Sequence, residues 1–213
     1  MDSQTNHQPI EEVKIQLEIT TSMIKDLREA TGAGVLDCKK ALEASGGDLE
    51  KAKAFLQEMG LATAAKKADR EVNEGLIEAY VHAGNRVVAL IELGCETDFV
   101  ARTDGFKELA HDLAMQIVAT NPLSLTPEDI PPHVLEQEKS NFRTQARELG
   151  KPEQIVDRIV EGKLQKYYQE VCLLGQPFIK NDELTVQDVI TQMIAKVGEN
   201  IVVRRFARFE LGE

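Results

Sequence analysis

Short helical patterns separated by glycine-rich breaks occupy the first third of the chain. Thr21 or Ser22 can cap a first helix, which TGAG at 31–34 breaks. A second helix ends at SGGD, 45–48, and a third begins there with apolar residues at three- and four-residue spacing. The spacing predicts a bundle of three short helices at 19–60. The second helix is predicted to bury four side chains, those of Val35, Leu36, Ala41 and Leu42.

Two segments carry no regular apolar spacing. Residues 1–18 are polar and acidic, with few apolar positions before VKIQLEI, and are predicted to form a loosely ordered leader. Residues 61–74, LATAAKKADREVNE, are rich in Ala, Lys and Glu, and are predicted to form an exposed, partly helical linker. Because the linker separates two regions of different periodicity, the sequence predicts two domains.

Beyond this linker the pattern changes from helical spacing to alternation. In GLIEAYVHAGNRVVALIELG, Ile77, Ala79 and Val81 alternate with polar residues, AGNR turns the chain, and 87–93 is rich in β-branched residues. These features predict a β-hairpin. ENIVVRRFARFEL, near the C-terminal end, is typical of a further strand. Its expected place is beside the hairpin, in an antiparallel sheet with helices on one face.

Helical spacing returns between the hairpin and the last strand. One helix is expected from Thr103, and two more at 134–149 and 152–171. The last of these three has a broad apolar stripe and is predicted to be buried on more than one side. TVQD at 185–188 has the Ser/Thr-x-x-acid start of a capped helix. The fold class predicted for 75–213 is therefore α+β.

The composition and charge of the chain argue against several classes of function. The 213 residues carry a formal net charge of −11, which would repel a phosphate backbone, so direct binding of nucleic acid is not expected. Membrane association is not expected either, because no apolar run approaches the roughly 20 residues that span a bilayer. The N-terminal residues lack the basic start and apolar stretch of a secretory signal, which favours the cytoplasm. The three cysteines are widely spaced without a C-x-x-C pair, which predicts reduced thiols rather than disulfides or structural zinc: Cys38, Cys95 and Cys172.

The sequence carries no recognisable constellation for bond-making chemistry. Its four histidines lie in unrelated contexts, and no nucleophile elbow, H-E-x-x-H motif or carboxylate cluster is present. TGAG is not followed by G-K-[ST], so it is interpreted as a joint between helices rather than a phosphate loop. We therefore expect no enzyme activity, no bound metal and no cofactor.

Four separated motifs resemble the translation elongation factor Ts family, in the family's order. They are LREATGAGVLDCKKALEASGGDLEKAKAFL at 27–56, ELGCETDFVAR at 92–102, GKPEQIVDRIVEGKLQKYYQEVCLLGQPF at 150–178 and VGENIVVRRFARF at 197–209. The resemblance covers nearly everything from about Ile19 to Glu213. It implies an N-terminal bundle similar to ubiquitin-associated domains at 19–60, a linker, and an α+β core at 75–213 around a three-stranded antiparallel sheet packed by helices.

The resemblance also implies a function. Members of the family release GDP from elongation factor Tu, and the TDFV motif enters the partner's GTPase domain near the nucleotide-bound Mg²⁺. We assign Phe99 as a wedge into an apolar crevice, Asp98 as a competing carboxylate or acceptor near the metal, Thr97 as the cap of the turn, and Val100 as a side chain that packs behind it. The chain resembles short members with one copy of the core sheet unit, for which a homodimer is plausible.

Two alternatives remain at this stage. Phe99 can instead fill the protein's own core, with Asp98 as a helix cap, and local sequence alone favours that interpretation. The three-helix bundle by itself is also compatible with an adaptor that binds ubiquitin-like domains. A hydrolase or transferase would need a nucleophile and base that the sequence does not show.

Overall fold

The computed structural model describes residues 18–212, in which the chain divides between Glu58 and Met59 into two units. The predicted leader at 1–18 lies outside the described residues except for Glu18. The helices within 18–212 include none that is both long and apolar enough to cross a membrane.

Three helices share a small hydrophobic cluster in the first unit. They are α1 (Thr21–Thr31), α2 (Val35–Ala44) and the first part of α3 (Leu49–Ala65). The cluster is built on Leu27, Cys38, Ala41, Leu42 and Ala52, all fully buried. The predicted three helices are thus confirmed, and their similarity to ubiquitin-associated domains stays a prediction.

Two details of this unit differ from the sequence prediction. The cap of α1 is Thr20, whose hydroxyl accepts a hydrogen bond from the Met23 amide at 3.3 Å. Val35 and Leu36 were predicted to be buried but are exposed, Leu36 by 72%. They lie in the first turn of α2, directly after the glycine-containing break, where the helix presents both side chains to solvent rather than to the cluster.

The predicted linker at 61–74 is not an isolated connection. α3 continues to Ala65, and Ala64 packs against the main cluster of the second unit. Val72 is buried, and its carbonyl accepts a hydrogen bond from the Arg204 guanidinium. A Cβ added at Gly60 would lie 3.6 Å from Thr191, so the segment lies close to a neighbouring helix. Most side chains at 61–74 are nonetheless exposed and α3 ends within the segment, so it is exposed and partly helical as predicted. Its contacts through glycine and alanine were not predicted, because small residues leave no apolar period in a sequence.

The second unit adds five strands and five helices within the described residues, in the order β1 (Glu74–Val81), β2 (Val87–Cys95), α4 (Asp98–Ala101), α5 (Asp104–Thr120), α6 (Pro132–Glu148), α7 (Glu153–Val171), β3 (Pro177–Phe178), β4 (Asn181–Thr185), α8 (Val186–Val197) and β5 (Ile201–Glu210). β2 lies between β1 and β5, and both pairings are antiparallel. The predicted three-stranded sheet is therefore confirmed. Helix α8 begins with the predicted capping box, in which Thr185 and Asp188 exchange hydrogen bonds. The short β3–β4 hairpin has no counterpart in the prediction.

One face of the sheet is covered and the other is open. The covered face packs against α5 and α8, with Ile91, Leu93, Phe106, Leu113 and Ile117 in the cluster. On the opposite face, the register of the strand pairs places Val81, Val88 and Phe209 next to one another. Ile77 lies opposite Glu92. Ile77, Val81 and Phe209 are each more than half exposed. Among the described residues of the second unit, helices therefore pack on one face of the sheet, as predicted.

Helices α6 and α7 form a hairpin with a core of its own. Ala146, Val156, Val160 and Leu164 are buried in it, separately from the cluster over the sheet. Ile155, which belongs to the predicted broad stripe of α7, is 43% exposed. The prediction that α7 is buried on more than one side is therefore wrong, because the buried positions recur every four residues along a single stripe that faces α6.

Candidate functional site

The TDFV motif, residues 97–100, forms a short helical turn at the end of the central strand β2. We refer to it as the TDFV turn. Thr97 is extended, with φ −129° and ψ 155°, and its hydroxyl accepts a hydrogen bond from the Val100 amide at 3.5 Å. It is thus the N-cap of α4, as predicted, and Asp98 is the first helical residue rather than the cap.

Adjacent residues of this turn have opposite environments. Val100 is 8% exposed and belongs to the cluster over the sheet, together with Ala101. Phe99 is 82% exposed. The interpretation of Phe99 as a core residue is therefore wrong, because successive side chains of a helical turn point about 100° apart and only Val100 faces the core. Phe99 therefore exposes a large aromatic side chain to solvent, on a turn that the buried Val100 side chain anchors to the core.

Asp98 carries the charge of the turn. Its carboxylate lies 2.9 Å from the Arg102 guanidinium, and the two side chains are 46% and 79% exposed. An ion pair with this exposure contributes only about 0–1 kcal/mol and is screened by salt. The Asp98 carboxylate can therefore leave Arg102 for another cation at little cost.

A second loop, between α8 and the neighbouring strand β5, supports the turn. The Thr97 amide donates a hydrogen bond to Glu199 Oε2 at 3.0 Å, and the Thr97 hydroxyl donates to Glu199 Oε1 at 2.7 Å. Glu199 was not predicted as a residue of the site. The available signal was an acid between a predicted helix and a predicted strand, in VGENI, and such a position does not reveal which residue it will contact 102 positions away.

Glu96 and Asn200 make the reciprocal connection between the same two loops. The Asn200 backbone amide donates to Glu96 Oε1 at 2.6 Å, and Arg70 lies 3.4 Å from the same carboxylate. These contacts lower the pKa of Glu96 below its usual 4.5, and the hydrogen bond from Asn200 has the largest effect. Asn200 is buried and donates its side-chain amide to the carbonyls of Ala68 and Arg70, both at 3.2 Å. The backbone directly after Glu199 is thus fixed.

All three thiols, the one beside the site and the two elsewhere, are in environments that make them unreactive. Cys38, Cys95 and Cys172 are free and buried, and burial raises the pKa of each thiol. Cys95 Sγ lies 3.1 Å from the Thr97 carbonyl, so it also packs under the turn. Residues 18–212 contain no group of three or more His, Cys, Asp or Glu side chains placed to hold a metal ion. The described site offers an exposed aromatic ring and a carboxylate on a rigid base, a geometry suited to contact with another macromolecule.

Comparison with known proteins decides the family. A protein-family model described as "Elongation factor TS" matches residues 49–213, more than half of the chain. The chain belongs to the elongation factor Ts family. It is 57% identical over 195 residues to the Elongation factor Ts of Heliobacterium modesticaldum, covering 92% of this chain and 91% of the relative. The corresponding identity is 56% for the protein from Carboxydothermus hydrogenoformans (92% and 90% covered) and 51% for that from Desulfosudis oleivorans (92% and 98% covered).

Membership confirms the resemblance found in the sequence. As a member of this family, the chain is a nucleotide exchange factor for elongation factor Tu in translation elongation. The family is one of exchange factors and not of catalysts of bond making. This role agrees with a site that presents an exposed aromatic ring and a carboxylate.

Proposed function

We propose that the chain binds elongation factor Tu in its GDP-bound form and promotes GDP release by inserting the TDFV turn beside the Mg²⁺ and phosphate site. The observation that carries this proposal is the contrast between Phe99, 82% exposed, and Val100, 8% exposed. An aromatic side chain held in water on an anchored turn gains free energy as soon as a partner covers it. The proposed compartment is the cytoplasm.

Phe99 acts as the wedge. Burial of a phenylalanine side chain in an apolar crevice is worth roughly 1.5–3 kcal/mol. Because Thr97 and Val100 already fix the turn, little of that energy is lost in ordering the backbone on binding. The energy gained is available to move partner elements apart around the nucleotide.

Asp98 acts on the metal. GTP-binding proteins hold the nucleotide phosphates through a Mg²⁺ that keeps near-octahedral oxygen coordination. A carboxylate brought next to that coordination shell competes for the metal or for its water ligands. Weaker binding of Mg²⁺ then weakens the binding of GDP. Since coupling between two ligands is reciprocal, a nucleotide whose binding the exchange factor weakens also weakens the binding of the exchange factor. Rebinding of GTP therefore releases it.

The first unit supplies a docking surface in this proposal. Val35 and Leu36 are exposed in the first turn of α2, and exposed apolar pairs of this kind suit a partner helix or loop. The same observation favours a second candidate function, an adaptor that binds ubiquitin-like domains. A pull-down that recovers a ubiquitin-like protein but no GTPase would favour the adaptor.

A homodimer completes the proposal. Ile77, Val81 and Phe209 present an exposed apolar face on the uncovered side of the sheet. A second copy of the chain could bury that face by a self-complementary contact. The apolar stripe of α7 is not the proposed interface, because it is largely buried against α6.

Release of fluorescently labelled GDP from elongation factor Tu tests the proposal. The rate is measured with and without the chain over a range of free Mg²⁺ concentrations. The proposal predicts faster release with the chain, and a smaller acceleration where low Mg²⁺ has already weakened GDP binding. An acceleration that does not depend on Mg²⁺ would exclude the metal as the target.

A further inference from the structure

Glu199 contacts the TDFV turn at both of its N-terminal donors. One carboxylate oxygen accepts from the Thr97 amide at 3.0 Å and the other from the Thr97 hydroxyl at 2.7 Å. Hydrogen bonds to a charged acceptor are stronger than neutral ones. Glu199 is half-buried, so water competes only partly for its oxygens. This single side chain thus determines how the turn begins.

The direction of the Thr97 hydroxyl follows from this contact. A hydroxyl has one donor and two acceptor sites. Because its proton is directed to Glu199, a lone pair remains for the Val100 amide, 3.5 Å away. Without the carboxylate, the hydroxyl can rotate and the Thr97 amide loses its acceptor. Both changes loosen the cap of the turn that carries Phe99.

Glu199 is itself held in place on both sides. Gly198 before it is left-handed, with φ 76°, and ends α8. Asn200 after it is buried, and its backbone amide binds Glu96, the residue directly before Thr97. The two loops therefore exchange hydrogen bonds in both directions, from Thr97 to Glu199 and from Asn200 to Glu96. The carboxylate is presented by a backbone that does not need to reorganise.

We propose that Glu199 is a positioning residue for nucleotide exchange, which holds the TDFV turn in the conformation that presents Phe99. It acts through Thr97 and contacts neither nucleotide nor metal. The inference rests on the proposed function of Phe99. Its physical basis is preorganisation, because a turn ordered before binding loses less entropy in the complex.

Glu199→Ala and Glu199→Gln test the role, with Glu183→Gln as the charge-matched control. Glu183 is exposed on β4, away from the turn in sequence. GDP release from elongation factor Tu is measured at limiting concentrations of each variant. We expect a rate about tenfold lower for Glu199→Ala, equivalent to ~1.4 kcal/mol. Glu199→Gln, which keeps one acceptor oxygen, should fall between Glu199→Ala and the unchanged protein, and Glu183→Gln should match the unchanged protein.

A double variant separates positioning from other roles. If Glu199 acts through the turn, Phe99→Ala combined with Glu199→Ala should exchange GDP no more slowly than Phe99→Ala alone. Additive losses would overturn the proposal, because they would mean that Glu199 acts independently of Phe99. A normal rate for Glu199→Ala in a folded protein would overturn it as well.

Amide hydrogen exchange provides a readout that does not depend on Phe99. In Glu199→Ala, the Thr97 and Val100 amides should exchange about tenfold faster, while the amides of β2 keep their protection. Should Phe99→Ala release GDP normally, the proposed function fails. Glu199 then keeps its role in positioning the turn only if Glu199→Ala shows both faster hydrogen exchange of the Thr97 and Val100 amides and slower GDP release. Unchanged protection of these amides rejects that role. If Glu199→Ala does not fold, the same comparisons are made with Glu199→Gln.

Discussion

Phe99 and Val100 are adjacent in the chain, yet one side chain is 82% exposed and the other is 8% exposed in the core over the sheet. The core position of Val100 fixes the turn, and the turn fixes the place of Phe99. Stability and partner contact are thus assigned to different side chains of one motif. This separation makes the account testable, since each side chain can be changed alone.

Asp98→Asn should slow the release of GDP from elongation factor Tu, and the release rate should depend less on the Mg²⁺ concentration. The substitution keeps the shape of the side chain but removes the charge that would compete for the metal. Its loss of the Arg102 ion pair should change stability by no more than about 1 kcal/mol. Asp182→Asn, at an exposed position on β4, is the control for net charge. Equal Mg²⁺ dependence for both variants would show that Asp98 does not act near the metal.

Glu96 should contribute stability that depends on pH. Its pKa is lowered in the folded protein, first by the Asn200 amide, so the contribution is fully present above the ordinary value of 4.5. It is lost as pH falls through the lowered folded pKa. Glu96→Gln should therefore reduce the free energy of unfolding by ~1 kcal/mol at pH 7 and by progressively less in acid.

Denaturant unfolding at several pH values checks this expectation. Glu108→Gln, at an exposed position on α5, is the matched control and should show no such trend. A Glu96→Gln deficit that is as large below the folded pKa as at pH 7 would mean that the hydrogen bond with Asn200 is not the source of the stability.

Much of the fold follows from local patterns, and the site follows only in part. The hairpin, the last strand and the TVQD start of α8 are encoded by alternation and capping within a few residues, so they are predictable. The Thr97 cap is predictable for the same reason. The Thr97–Glu199 contact is not, because no short-range pattern links residues 102 positions apart. Contacts through small residues, such as Gly60 near Thr191, are equally invisible to periodicity.

Leu36→Ser should weaken binding to elongation factor Tu without lowering the saturating exchange rate. Leu36 is 72% exposed, so its loss should leave the first unit folded, within about 0.5 kcal/mol. Exchange rates measured over a wide concentration range give the half-saturating concentration and the maximal rate separately. Leu149→Ser, at an equally exposed residue after α6, is the control. An unchanged half-saturating concentration would remove the docking role.

Ile77→Lys should favour the monomer if two copies pair through their sheets. Ile77 is 67% exposed on β1, and a charge there opposes burial against a second copy. Ile155→Lys, on the exposed edge of the α7 stripe, should leave the assembly unchanged. Sedimentation equilibrium distinguishes these cases. A monomer at every concentration for the unchanged chain would reject the homodimer.

Phe99→Ala tests whether Phe99 contacts the partner or stabilises the fold, with thermal unfolding and GDP release measured on the same protein. Val100→Ala is the comparison, because its truncation in the core should cost about 1–3 kcal/mol and lower the Tm. We expect Phe99→Ala to keep the stability of the unchanged protein, within about 0.5 kcal/mol, and to lose at least about tenfold in exchange rate. A stable Phe99→Ala protein that releases GDP at the normal rate would exclude Phe99 as the wedge, and so would one that unfolds as early as a core variant.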